Sequence, residues 1–187
     1  LYRKWSGDYD YRDQVYICDP STGQTVKVST GIYDGSPIIG ETPTQILPIG
    51  DGSTFAVVWY SNQHGTSASE EIFVRVFDKN LQPVTDQIVL SDNIADGGLI
   101  GHLFELVDGS FLFTWYNDDE TDMTYMAQQL DADFNAIDEA FLLTDEVRND
   151  LSRSANSKGF LLQSEDEANL SYWEFGEDGY IYSTSLA

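Results

Sequence analysis

The chain has 187 residues, 41% hydrophobic and 13% aromatic, which is enough to bury a core and argues against a disordered polymer. Its 32 Asp and Glu against 9 Lys and Arg give a formal charge of −23, a field that excludes nucleic acid, whose phosphates need basic clusters. No apolar run is long enough to insert in a membrane, no signal peptide is read at the start, and a single cysteine excludes an intramolecular disulfide.

In chain order, the first element is an apolar strand at Leu1–Trp5, which starts in the middle of what recurs later as a repeat. We therefore expect a single all-β module over residues 1–187, excised from a larger polypeptide with flanking domains. Strands at Val15–Asp19 and Gln24–Val28 follow, and Cys18 reads as a small core hydrophobe of the first of these. The clearest unit comes next. It has strand A at Gln45–Ile49, a Gly50-Asp51-Gly52-Ser53 turn, and strand B at Phe55–Trp59, whose period-2 alternation puts Phe55, Val57 and Trp59 on one face. A polar loop leads to strand C at Ile72–Phe77, a turn at Asp78-Lys79-Asn80, and strand D at Gln87–Leu90.

The pattern then repeats. Leu103–Val107, the Asp108-Gly109-Ser110 turn, Phe111–Trp115, a strand through Leu130, and the Asp131-Ala132-Asp133 turn reproduce it, and a last copy runs from Leu151 to the end. Trp5, Trp59, Trp115 and Ser164 mark equivalent strand ends at intervals of 54, 56 and 49 positions, the signature of a repeated antiparallel unit. The predicted fold is all-β, built of four-stranded antiparallel meanders over about 1–41, 42–98, 99–150 and 151–187. Their assembly is β-propeller-like, with a β-sandwich of the same meanders as the alternative.

Acidic residues concentrate after strand B. The first copy carries Asp8, Asp10 and Asp13 there, and the third carries Asp118, Asp119 and Asp122. Calcium takes six to eight oxygens at roughly 2.3–2.6 Å, and clustered Asp carboxylates in a flexible loop supply them, so these two sets are the predicted Ca²⁺ ligands. Asp131-Ala132-Asp133-Phe134-Asn135 copies the start of an EF-hand loop. It lacks the Gly at Ala136 and the bidentate Glu at Leu142, so it reads as an ordinary turn. Tyr9, Tyr11, Tyr60 and Tyr116 sit beside repeat tryptophans or acids and are the predicted ligand contacts, because Tyr offers rigid amphipathic surface to sugars and peptides. His64 and His102 lie in non-equivalent positions without a nucleophile motif, and no metal-protease or phosphate-loop pattern occurs, so no catalytic residue is assigned.

The run Gln45…Pro48…Gly50-Asp51-Gly52-Ser53…Phe55-Ala56-Val57-Val58-Trp59, followed by Val74-Arg75-Val76-Phe77-Asp78, resembles the tandem repeats of large secreted bacterial proteins of the RTX adhesin class. The resemblance implies propeller-blade-like repeats in an extracellular, calcium-rich setting at a bacterial cell surface. On that basis the chain is expected to be a non-enzymatic, calcium-dependent adhesion module recognising a glycan or peptide on a host or partner cell. A glycoside hydrolase or lyase of propeller type, and a non-binding structural extender, are the competing expectations. Arg3 at a core-facing place and Ser164 in place of tryptophan depart from the family pattern.

Overall fold

Extended backbone dominates the computed structural model, which describes residues 2–4, 14–33, 36–37, 39–62, 70–90, 98–119, 122–144, 152–156, 159–163, 170–175 and 181–185, with side chains over 14–31, 40–61, 71–90, 101–115 and 125–143. The chain divides into two compact units, Leu1–His102 and Leu103–Ala187. No helix occurs among the described residues, and the protein is all-β.

In the first unit, β1 (Tyr2–Lys4), β2 (Gln14–Cys18) and β3 (Thr25–Lys27) form a three-stranded sheet, and β4 (Ile32–Tyr33) pairs with β5 (Ser36–Pro37). A four-stranded sheet follows in chain order: β6 (Ile39–Ile49), β7 (Thr54–Asn62), β8 (Glu70–Asp78) and β9 (Ile88–Val89). Two further four-stranded sheets keep the same order. One is β10 (Gly98–Glu105), β11 (Phe111–Asp119), β12 (Asp122–Leu130) and β13 (Phe141–Thr144); the other is β14 (Ser152–Asn156), β15 (Gly159–Gln163), β16 (Leu170–Phe175) and β17 (Ile181–Ser185). These are the repeated four-stranded meanders that the sequence predicts.

Strand β6 begins well before the predicted Gln45. It passes Gly40 and Pro43 by two irregularities, between Ile39 and Thr42 and between Pro43 and Gln45. Being the edge of its sheet, it tolerates Pro43 and Pro48, whose missing N–H groups a central strand would need.

The core of the first unit lies between two sheets. Val15, Ile17 and Val28 from the three-stranded sheet pack against Val57, Trp59, Phe73, Phe77 and Leu81, with Val26, Phe55 and Val89 at the margin. Trp59 stacks on Phe73 at 5.4 Å between ring centroids. This face-to-face packing fits the β-sandwich alternative, and burying each such side chain contributes about 1.5–3 kcal/mol. Arg75 sits among these apolar groups because its polar atoms are satisfied. Its Nε donates to Thr85 O at 3.1 Å, its Nη1 donates to Val28 O just past β3 at 3.0 Å, and the guanidinium lies 5.6 Å from the Phe77 ring centre.

One sequence expectation is corrected here. Cys18 is exposed, not a core residue. Along β2 the inward positions are Val15 and Ile17, so the two-residue period turns Tyr16 and Cys18 to the other side.

The turns between the third and fourth strands are near copies of one another. Asp78 Oδ1 accepts from the amides of Asn80 and Gln82, both at 2.8 Å, and Asp131 Oδ1 accepts from Asp133 at 2.9 Å and Asn135 at 2.8 Å. Each turn carries a buried apolar residue in the left-handed region, Leu81 at φ 59° and Phe134 at φ 65°. Phe134 tolerates that conformation because its ring stacks 4.7 Å from Phe111. Phe134→Ala should therefore cost about 3–5 kcal/mol, while Phe134→Gly should be the milder change by about 1 kcal/mol, since glycine alone adopts positive φ without a Cβ penalty. In urea titrations an alanine variant more stable than the glycine variant, the usual order within a strand, would contradict this reading.

Candidate functional site

Register fixes which end of each meander carries which acids. Thr54 lies opposite Asp78 and Phe111 opposite Leu130, so the turns around Asp51 and Asp78, and around Asp108 and Asp131, share one end of their sheets. The hairpins closing at Asn62 opposite Glu70, at Asp119 opposite Asp122, and at Gln163 opposite Leu170 lie at the other end.

At the turn end, carboxylates are consumed by their own loops. Asp19 accepts from Ser21 N at 2.8 Å, Ser21 Oγ at 2.7 Å and Thr22 Oγ1 at 2.8 Å. Asp51 accepts from Ser53 N at 2.9 Å, and Asp108 accepts from Ser110 N at 2.9 Å and from Ser110 Oγ at 2.6 Å. These bonds hold all five carboxyls below the ordinary aspartate range: the Ser21 hydroxyl leads for Asp19, the Ser53 hydroxyl for Asp51, the Gln82 amide for Asp78, the Ser110 hydroxyl for Asp108 and the Asn135 side chain for Asp131. The EF-hand-like segment is thus a hydrogen-bonded turn, with Asn135 Nδ2 also donating to Asp131 Oδ2 at 3.0 Å.

The opposite end of the second of these sheets holds the third copy's predicted acids. Asp118, Asp119 and Asp122 were expected in a loop. Instead β11 runs through Asp119 and β12 resumes at Asp122, with Asp118 in register with Met123 and Asp119 with Asp122. Directly paired backbone positions in an antiparallel ladder lie about 4.5–5.5 Å apart, so the structure brings Asp119 and Asp122 together along the chain's own hairpin. Asp8, Asp10 and Asp13 lie outside the described residues, in the segment 5–13 that joins the paired ends Lys4 and Gln14. Among the described residues no group of three or more His, Cys, Asp and Glu is placed to hold a metal ion.

Of the predicted aromatic contacts, Tyr60 is a half-buried strand residue between Thr42 and Ile72 in register. Tyr116 lies on β11 opposite Tyr125, with only its backbone described, and Tyr9 and Tyr11 lie outside the described residues. His102 lies on β10 with interactions of its own, and His64 is outside the described residues.

One polar group that the sequence reading passed over stands out. Glu41 on β6 is only 1% exposed, and its Oε2 accepts from the Val15 amide of β2 at 2.9 Å, across the joint between the two sheets. Its Oε1 and the Ser29 hydroxyl are buried without hydrogen-bond partners. Desolvation raises the Glu41 carboxyl above its ordinary range; the Ser29 hydroxyl nearby, although short of hydrogen-bond geometry, the Val15 amide and the charge of Lys27 pull less strongly the other way. The signal was present in sequence as the one acid of the otherwise uncharged segment 35–50.

No protein-family model matches the chain, and no curated protein matches it in sequence.

Proposed function

We propose that the chain is a calcium-dependent, non-catalytic ligand-binding module of a secreted or surface-anchored bacterial protein of the RTX adhesin class, taking a glycan or a peptide from a host or partner cell. The supporting observation is the segregation of acids. Five aspartates at one end of the meanders are spent on turn hydrogen bonds, while the backbone register sets Asp118, Asp119 and Asp122 side by side at the opposite end of theirs. A cation there lowers like-charge repulsion between the paired positions and presents a positive centre to a carboxylate or sugar hydroxyl.

The test is retention on immobilised glycan and peptide panels in calcium and in EDTA, with reducing-sugar release followed in parallel. Retention confined to one ligand class, lost in EDTA and without turnover, is the expected result. Sugar release would make the protein a hydrolase, and no retention in either medium would leave it a structural extender.

A further inference from the structure

Every buried polar group at the joint between β6 and the three-stranded sheet is an exception to an otherwise apolar interface. Val15, Ile17 and Val28 supply one side, Val57 and Trp59 the other, and Glu41 reaches across to the buried Val15 amide. The amide of Val28, just past β3, donates to Val15 O at 3.0 Å, so Val15 is tied to that segment through its carbonyl and to β6 through its N–H. Losing the Glu41 contact would strand a buried backbone donor, and keeping it as a carboxylate strands a buried charge.

We propose that Glu41 is a pH-sensitive latch that fastens the three-stranded sheet to β6 as a neutral carboxyl and loosens that joint as it ionises. A proton on Oε1 removes the buried charge while Oε2 continues to accept from Val15. The charged group whose field reaches it is Lys27 of β3, which favours ionisation, and β1, which packs beside β6, carries Arg3 and Lys4, with Arg3 in register with Val15. Among the described side chains no ion pair to Glu41 replaces the lost hydration, and burial outweighs the charge of Lys27. The sign follows from linkage. A glutamate whose pKa is higher in the closed joint than the ordinary 4.5 stabilises the joint fully below that value, and the contribution is lost as pH rises through the closed-state pKa.

The experiment is amide hydrogen exchange at Val15, Ile17 and Val28 between pH 4 and 8, corrected for intrinsic exchange, in the wild-type chain and in Glu41→Gln, which keeps the acceptor and removes the charge. Wild-type protection should fall about tenfold per pH unit above 4.5 until the closed-state midpoint is passed, relative to a Glu41→Gln profile that lacks this step and is the better protected at pH 8. Parallel profiles, or a glutamine variant less protected at pH 8, would overturn the proposal. A carbon-13 titration of the Glu41 carboxyl in the wild-type chain reads the same point without mutation: a midpoint above 4.5 supports the latch, and one at or below it rejects it.

Discussion

Trp59→Ala should cost the first unit about 3–5 kcal/mol, read as a shift in the urea midpoint with an unchanged denaturant slope. Trp59 is fully buried at the centre of the two-sheet core and stacks on Phe73, so truncation empties the largest single volume in that core and removes a ring pair. Its indole Nε1 is buried without an acceptor, which is already a cost in the native state. Trp59→Phe keeps the stack and removes that unsatisfied donor, so its loss should fall well below that of alanine. A loss of under about 1 kcal/mol for alanine would mean that the two sheets do not share this core in solution.

Calcium at a hundredfold excess over its dissociation constant should raise stability by about 2.7 kcal/mol for one site, by mass action on the folded state. The formal charge of −23 makes the compact state self-repelling, and residues 1–30 contribute four acids and four bases, so the excess of 28 acids over five bases falls on the remaining 157 residues. Replacing Asp118, Asp119 and Asp122 together by Asn should remove a large part of the calcium response while raising stability in EDTA, because like charges at paired positions repel. Asp19→Asn and Asp78→Asn should leave the calcium response unchanged, since those carboxylates are engaged by their own turns. A response that the turn variants abolish and the hairpin variant leaves intact would place the ions at the wrong end of the sheets.

How far the sequence could be read differs from element to element. Strands β7 and β11 were legible as dense apolar runs opened by Gly-Asp-Gly-Ser and Asp-Gly-Ser turns, and β8 and β12 as apolar stretches closed by the Asp78 and Asp131 turns. The first part of β6 was not, since Gly40 and Pro43 read as breakers; an edge strand with two irregularities accommodates both. Asn117-Asp118-Asp119 has poor strand propensity and reads as a loop, yet the ladder from Phe111 opposite Leu130 continues through it, so pairing overrides local preference. Cys18 failed on phase alone. Glu41 failed for a different reason: its burial depends on Val15, twenty-six positions away, and no local pattern carries that contact. Within the candidate site, the residue types were legible while their division between the two ends of each sheet required the register.

The most direct measurement is thermal unfolding in EDTA, in millimolar calcium and in equal magnesium, at matched ionic strength. The account predicts a large rise selective for calcium, because magnesium demands near-octahedral geometry and sheds water reluctantly. Equal curves for the two cations would contradict it and leave the acidic hairpin ends as a solvated coat.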